Sequence, residues 1–304
     1  MIKKAGLYTS IQDLGRIGFM NKGVARSGAM DTQSASLANW LVGNDANTAL
    51  LETTFQGLTV QFQDSRMIAI AGGDLGAHLN NRPVTLWESV QVREGDVLAF
   101  DKKVSGFRAY LAISGGIKQS KIMGSRSTHS MIDLGIEKIK DGSILELYST
   151  NSQVERSSSE FHRPIYTKHF TARLLPGPEF ESFPREYMDQ LTTQQLTISP
   201  DSNRMGYRLI GDFDSKDLPQ GILSSGVILG TIQVTPSGQP IILMNDGPTT
   251  GGYARVGNVI TPDLNYIAQL APGDSLRFTW VNFDQADRIL KNYRDRQSEA
   301  ISVG

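Results

Sequence analysis

Short runs of alternating apolar residues, fenced at their ends by Gly, Asp, Asn or Pro, recur along the whole chain and constrain its fold more than any other feature. Thr59 to Phe62, Met67 to Ala71, Val97 to Phe100, Arg108 to Ile113 and Ile241 to Met244 each have the length and period of a strand. The predicted fold class is therefore mostly β. Helices are few. Asp31 can cap a segment carrying Ala35, Leu37, Ala38, Trp40 and Leu41 that stops at Gly43, and Asp284 can cap one carrying Ala286, Ile289, Leu290 and Tyr293. Both are expected at the periphery.

A weak internal echo links "VREGDVLAF" (92–100), "IKDGSILEL" (139–147) and "LAPGDSLRF" (270–278), each a Gly-Asp or Gly-Ser turn leading into an alternating strand. Two similar barrels would account for it. The stretch 149–163, "STNSQVERSSSEFHR", is polar and serine-rich without apolar periodicity, as a solvated connection must be. The expected subdomains are 1–155 and 156–304, the second ending in a helix.

At 304 residues and 39% hydrophobic, the chain can bury one large core or two ordinary ones. A formal net charge of −1 with both signs interspersed gives no field to gather nucleic acid or an anionic membrane. The absence of cysteine removes disulfides, thiolate nucleophiles and Cys-built metal sites, which suits a reducing compartment, and the expected location is the cytoplasm. No apolar run approaches the roughly 18 residues of a membrane span, and Lys3 and Lys4 are not followed by a leader's apolar stretch.

The sequence holds no Walker phosphate loop, zinc-protease helix, nucleophile elbow or EF-hand. "AGGDLGA" (71–77) looks superficially like a dinucleotide fingerprint, but "HLNNRP" follows, which cannot be the required helix, so a strand-to-strand turn is expected. His78, His129, His162 and His169 show no tight pairing, and no metal site is expected.

Glycine-rich turns with hydroxyl or charged side chains are more informative: "QDLGRIG" (12–18), "GAMD" (28–31), "GSRST" (124–128), "LPGPE" (175–179), "SNRMGYRL" (202–209) and "NDGPTTGGY" (245–253). Taken singly, most need glycine only for tight turns. Together, bare amides with Arg and Thr donors can cradle a carboxylate, phosphate or developing oxyanion. The last two stretches favour this reading, because each sets donors and an aromatic beside pliable backbone. An Asp13/Arg16 pair can equally brace a turn.

These blocks, with "GLYTSIQDLGRIGF", "SGAMDTQSASLANWLVGNDANTALLE", "AGGDLGAHLNNRP", "GFRAYLAISGGI", "GTIQVTPSGQPIILMNDGPTTGGY" and "DLNYIAQLAPGDSLRF", resemble one family from Gly6 to about Phe278. It is the carboxyltransferase-domain family, which includes the C subunit of 5-oxoprolinase, proteins similar to the second subunit of allophanate hydrolase, the antagonist of a sporulation-kinase inhibitor and the carboxyltransferase part of urea amidolyase. The resemblance implies two cyclophilin-like β-barrel subdomains with a cleft and a few peripheral helices. It also implies one component of an ATP-dependent 5-oxoprolinase that opens 5-oxoproline to L-glutamate. Its partners would be the smaller, cyclophilin-fold B subunit, which resembles a kinase inhibitor, and the lactam-utilisation protein that forms the A subunit. ATP would sit at a shared interface. The alternatives are a regulatory antagonist that captures a histidine-kinase inhibitor and a biotin-dependent carboxyltransferase; without a Met-Lys-Met sequence here, biotin would arrive on another chain.

On this resemblance Asp246, Arg204 and Tyr207 are the candidate catalytic residues. Thr249, Thr250, Gly251, Gly252 and Tyr253 are candidates for substrate binding, with Arg16, Asp31, Asp74 and Arg126 as second-tier contacts. Two positions depart from the family pattern: Pro248 stands where a Gln usually precedes the threonines, and Ala254 where a Pro usually follows the tyrosine.

Overall fold

A computed structural model of the chain describes residues 1–302 apart from Glu137 and Ser152. Ser152, within the expected seam, and residues 303 and 304, at the end of the expected second subdomain, lie outside the described residues. Strands take 32% of the chain and helices 18%, as the alternation predicts. Contacts group the chain into two units: Met1–Arg16, Ser27–Tyr166 and Asp295–Gly304 in the first, Ile17–Arg26 and Thr167–Arg294 in the second.

The first unit is built on two five-stranded sheets. One runs in the order Ile2–Ala5, Leu58–Gln61, Val97–Phe100, Ala77–Leu79, Arg82–Pro83; the other Tyr8–Gln12, Leu50–Thr54, Ser105–Ile113, Arg66–Asp74, Ser89–Val92. Two central strands of the second sheet are apolar on both faces. Ala109, Leu111 and Ile113, with Ile68 and Ile70, enter a core shared with Leu58, Val60, Leu98 and Phe100 of the other sheet. The intervening Tyr110 and Ala112, with Met67, Ala69 and Ala71, pack against Leu37, Ala38 and Leu41 of the helix Thr32–Leu41. Period-two alternation thus sends one strand into two cores, and the helix covers a sheet face instead of decorating the surface. Asp31 caps that helix as expected, its carboxylate accepting from Ser34 N at 3.0 Å.

The second unit contains a closed seven-stranded barrel: His169–Pro176, Ala254–Val259, Thr231–Val234, Pro240–Leu243, Gly206–Ile210, Leu196–Ile198 and Ser275–Trp280. Its first and last strands close it through a parallel ladder, His169 opposite Ser275 and Leu174 opposite Trp280. Ala172, Leu174, Leu196, Tyr207, Ile232, Ile242, Val256, Leu276 and Phe278 are buried. Helices Arg185–Thr193 and Thr261–Ile267 add to the two that the sequence pattern predicts. The last helix, Phe283–Ser302, starts earlier than Asp284 capping implies. Asn282 and Gln285 close it reciprocally, each backbone amide donating to the other's side-chain oxygen at 2.9 Å.

The chain leaves the first unit between Tyr166 and Thr167, later than the 155/156 boundary expected from composition. The polar stretch before it is strapped down: Arg156 N donates to Ser89 Oγ at 2.7 Å, Ser158 N to Trp87 O at 2.8 Å, and the Arg156 guanidinium lies 4.8 Å from the Trp40 ring centre. Polar composition marks solvent exposure only where the backbone lacks partners.

The internal echo is a repeated turn. Asp96, Ser143 and Asp274 each accept, through the side chain, from the amide three residues earlier: Arg93 N at 2.8 Å, Lys140 N at 3.1 Å and Ala271 N at 2.8 Å. Gly95, Gly142 and Gly273 precede them with φ of 88°, 83° and 88°, a conformation that favours glycine. "AGGDLGA" is a strand-to-strand turn, the Asp74 carboxylate accepting from Gly76 N at 2.8 Å before strand Ala77–Leu79 begins.

Candidate functional site

The ladder between Gly206–Ile210 and Pro240–Leu243 places Gly206 opposite Leu243 and Tyr207 opposite Ile242. It continues beyond the strand ends, Met244 N donating to Met205 O at 3.0 Å and Asp246 N to Arg204 O at 2.9 Å. The backbones of Arg204 and Asp246, 42 residues apart in sequence, are therefore zipped together and their side chains meet. Arg204 Nε donates to Asp246 Oδ2 at 2.9 Å and Nη2 to Oδ1 at 3.3 Å. The side chains are 4% and 0% exposed, so this is a buried bidentate ion pair. Tyr207 points into the barrel, 1% exposed, its hydroxyl 3.3 Å from the Leu270 carbonyl. Arg204 and Asp246 thus anchor the loop and Tyr207 fills the barrel; all three side chains are buried.

Gly247 follows at a point where a Cβ would lie 2.9 Å from both the Met205 and Met244 carbonyl oxygens. The backbone turns there under close crowding that only glycine tolerates. Residues 249–252 are zipped to 222–227, Val227 N donating to Thr249 O at 3.1 Å and Ile222 N to Gly252 O at 2.8 Å, with Thr250 and Gly251 opposite Gly226 and Ser225. Backbone pairing therefore leaves the side chains available. The hydroxyls of Thr249, Thr250 and Tyr253 make no hydrogen bond among the described residues, and Tyr253 is 41% exposed.

A recess of about 300 Å³ opens beside this loop, with Asn245, Gly247 and Pro248 on one side, apolar walls from Leu229, Leu243 and Leu264, and Arg26 as its cation. Pro248, the first departure from the family pattern, is thus part of the wall. Ala254, the second, is fully buried opposite Val234.

The first unit holds a denser polar cluster. Asp13 Oδ1 accepts from Gly15 N at 2.8 Å, Ser125 Oγ at 2.7 Å and Ser127 Oγ at 2.6 Å, and Oδ2 accepts from Arg126 N at 2.6 Å. Arg16, 1% exposed, donates from Nη2 to the Ser127 carbonyl. Gln12 Nε2 donates to Thr128 O at 3.1 Å, while Gln12 Oε1 and Thr128 Oγ1 are buried with no hydrogen-bond partner among the described residues. Such orphaned acceptors and hydroxyls mark a place where polar chemistry is unfinished within the chain.

Asp31 belongs to a second network there. Its Oδ2 accepts from Ser34 Oγ and Tyr166 Oη, each at 2.7 Å, and its amide donates to Tyr110 Oη at 2.8 Å. Burial, then the neighbouring carboxylates, push both phenols far above their ordinary range and keep them protonated. Glu52, fully buried, accepts from Met30 N at 2.8 Å and stands 3.8 Å from Arg108 Nε. The remaining candidates brace the surface: Asp74 holds its own turn, and Arg126 donates to Gln119 O at 2.7 Å and to Tyr148 Oη at 3.1 Å.

Ser125, Ser127 and Glu52 are not among the residues that the sequence pattern singles out, and Asp13 is singled out only with Arg16 as a brace for its turn. "GSRST" contains both serines, but side-chain charge favours Arg126, which reaches Asp13 through its amide. Among the described residues no group of three or more His, Asp or Glu side chains could hold a metal ion, and no helix is long and apolar enough to cross a membrane.

Residues 22–280 match the family described as carboxyltransferase domain, subdomain A and B, and the chain belongs to that family. Within it, the chain is 36% identical to the C subunit of 5-oxoprolinase from Escherichia coli (strain K12) over 302 residues, covering 97% of this chain and 94% of that protein. The corresponding Haemophilus influenzae protein is 34% identical over 283 residues, covering 92% and 90%. Among solved structures, the K. lactis urea amidolyase superposes with a TM-score of 0.91 at 29% identity over all of this chain; this chain covers 20% of that one.

Proposed function

We propose that the chain is the C subunit of an ATP-dependent 5-oxoprolinase. It opens the lactam of 5-oxoproline to L-glutamate together with two partner chains, one of cyclophilin fold and one a lactam-utilisation protein. The observation that carries this is identity: 36% to the E. coli C subunit over 302 residues, against 33% to the urea amidolyase of Lachancea kluyveri. Hydrolysis breaks the lactam C–N bond, water supplying oxygen to the carbonyl carbon and a proton to the ring nitrogen. ATP would supply the activation that a poor lactam electrophile needs. The described residues include no glycine loop opening a helix that would grip phosphates, so no step is assigned to ATP on this chain alone. A chain without cysteine suits cytoplasmic work.

In this scheme the recess takes the ring against Leu229, Leu243 and Leu264. Asn245 and Arg26 are its polar partners, and Thr249, Thr250 and Tyr253 offer hydroxyls further along the same loop, at its exposed rim. Arg204 and Asp246 are positioning residues, holding the loop through their buried pair. The test is 5-oxoproline-dependent glutamate release by the reconstituted complex of all three chains, comparing the wild type with Arg26→Ala and with Thr250→Val/Tyr253→Phe. Lower turnover in both variants, with the complex still assembling, is expected; wild-type turnover in both would remove the recess from the site.

A second reading has its own support in the 0.91 TM-score with urea amidolyase. A biotin-dependent carboxyltransferase would show bicarbonate-dependent ATP use abolished by avidin. Co-purification with a histidine-kinase inhibitor, without turnover, would favour the regulatory alternative.

A further inference from the structure

Alternation on the two strands that close the barrel places His169 and Thr171 beside their ladder partners Ser275 and Arg277 on one face, while Ala172, Leu276 and Phe278 are buried. Gln195, just before the neighbouring strand Leu196–Ile198, joins them. These five residues and Phe170 line a recess of about 320 Å³ that shares no residue with the one at 243–248. We propose that this recess is a second binding site, for a small oxyanion: the phosphate or carboxylate end of a metabolite.

Three of the side chains are already locked in place. His169 Nδ1 lies 2.5 Å from Ser275 Oγ, and Gln195 Nε2 lies 2.5 Å from the same hydroxyl and 3.0 Å from Nδ1. The amide N–H donates to Ser275, and in the proposed site the Ser275 hydroxyl donates in turn to Nδ1. Ser275 is 6% exposed while His169 and Gln195 are exposed, so one buried hydroxyl ties two surface side chains together. A neutral imidazole that accepts at Nδ1 carries its proton on Nε2, which becomes an outward donor. In the proposed site this contact selects the tautomer that offers an anion a donor.

The other lining groups are uncommitted. The Arg277 and Thr171 side chains make no hydrogen bond or ion pair among the described residues. Arg173, Arg204 and Arg255 are each engaged by a carboxylate. No carboxylate is among the described residues that line the recess. A guanidinium and a hydroxyl without acceptors of their own, beside an imidazole and an amide, form a donor set for oxygen anions.

The test uses the full chain, titrated calorimetrically with inorganic phosphate and, separately, with acetate at constant ionic strength. Saturable binding of either, weakened about tenfold or more by Arg277→Ala and by Gln195→Ala, is expected. Replacing Arg288, an exposed arginine of the last helix, should leave it unchanged. Phosphate alone saturating assigns a phosphate ligand, and acetate alone a carboxylate. Absence of saturable binding by both, or equal loss in Arg277→Ala and Arg288→Ala, overturns the site. Arg277 is exposed and unbonded, so its removal leaves folding intact; unchanged thermal unfolding of the variant verifies this.

Discussion

Each unit surrounds a buried aspartate, and the two solve the problem differently. Asp13 in the first unit is met by four donors, two amides and two hydroxyls, arriving from segments at 15 and at 125–127. Asp246 in the second is met by a guanidinium that a strand ladder delivers to it. Shared neutral donors spread the cost of burying charge over several loops, whereas an ion pair concentrates it in one partner. The first arrangement fixes loop conformation; the second fixes the register at which two strand ends meet.

The sharpest way to break this contrast is Arg204→Ala. Removing the guanidinium leaves Asp246 buried without its counter-ion and should cost about 3–5 kcal/mol in urea unfolding. Arg204→Met with Asp246→Leu should recover most of that, because the pair's desolvation disappears with its charge. A loss under about 1 kcal/mol in the single variant would show that the pair is dispensable.

Asp13→Ala should cost less, about 1–3 kcal/mol, since its donors are neutral groups that relax separately. Asp13→Asn should fall between wild type and Ala, retaining an acceptor oxygen. If Asn proves worse than Ala, the carboxylate's charge is decisive and the two units resemble each other after all.

A smaller effect is expected at Glu179, also in the second unit. Arg255 donates to it from Nη2 at 2.6 Å and from Nε at 2.8 Å, and these bonds hold the carboxyl below its usual 4.5. A depressed folded-state value means the stabilisation is full above about 4.5, the unfolded value, and is lost as pH falls through the lower folded one. Glu179→Gln should therefore flatten the acid limb of the urea midpoint against pH. A parallel limb in variant and wild type would show the bridge to be inert.

The smallest change is expected at the rim. Thr250→Val and Tyr253→Phe remove hydroxyls with no partner among the described residues and should shift stability by no more than about 0.5 kcal/mol. A larger loss would mean that the rim supports the fold rather than a ligand.

Much of the fold is legible in the chain itself, because period-two alternation and glycine turns are local signals. The strand Val97–Phe100 falls where the pattern puts it, and the echoed turns share one hydrogen bond. The site is legible as a set of stretches but not as a set of roles. Arg204 and Asp246 both stand out in the sequence, yet only the ladder shows that they neutralise each other. Tyr207 could be assigned inward from the same alternation, since Leu209 two residues on is buried too. Asp13 is obscured because its hydroxyl donors lie more than a hundred residues away, at 125 and 127.

By itself the sequence determined the β class, the turn chemistry and membership of the carboxyltransferase family, for each is written in neighbouring residues or in blocks of them. Only the tertiary structure decided which polar groups are consumed and which stay available. A hydrogen bond or an ion pair depends on a partner brought near by closure of the chain, and no local spacing states where that partner will come from.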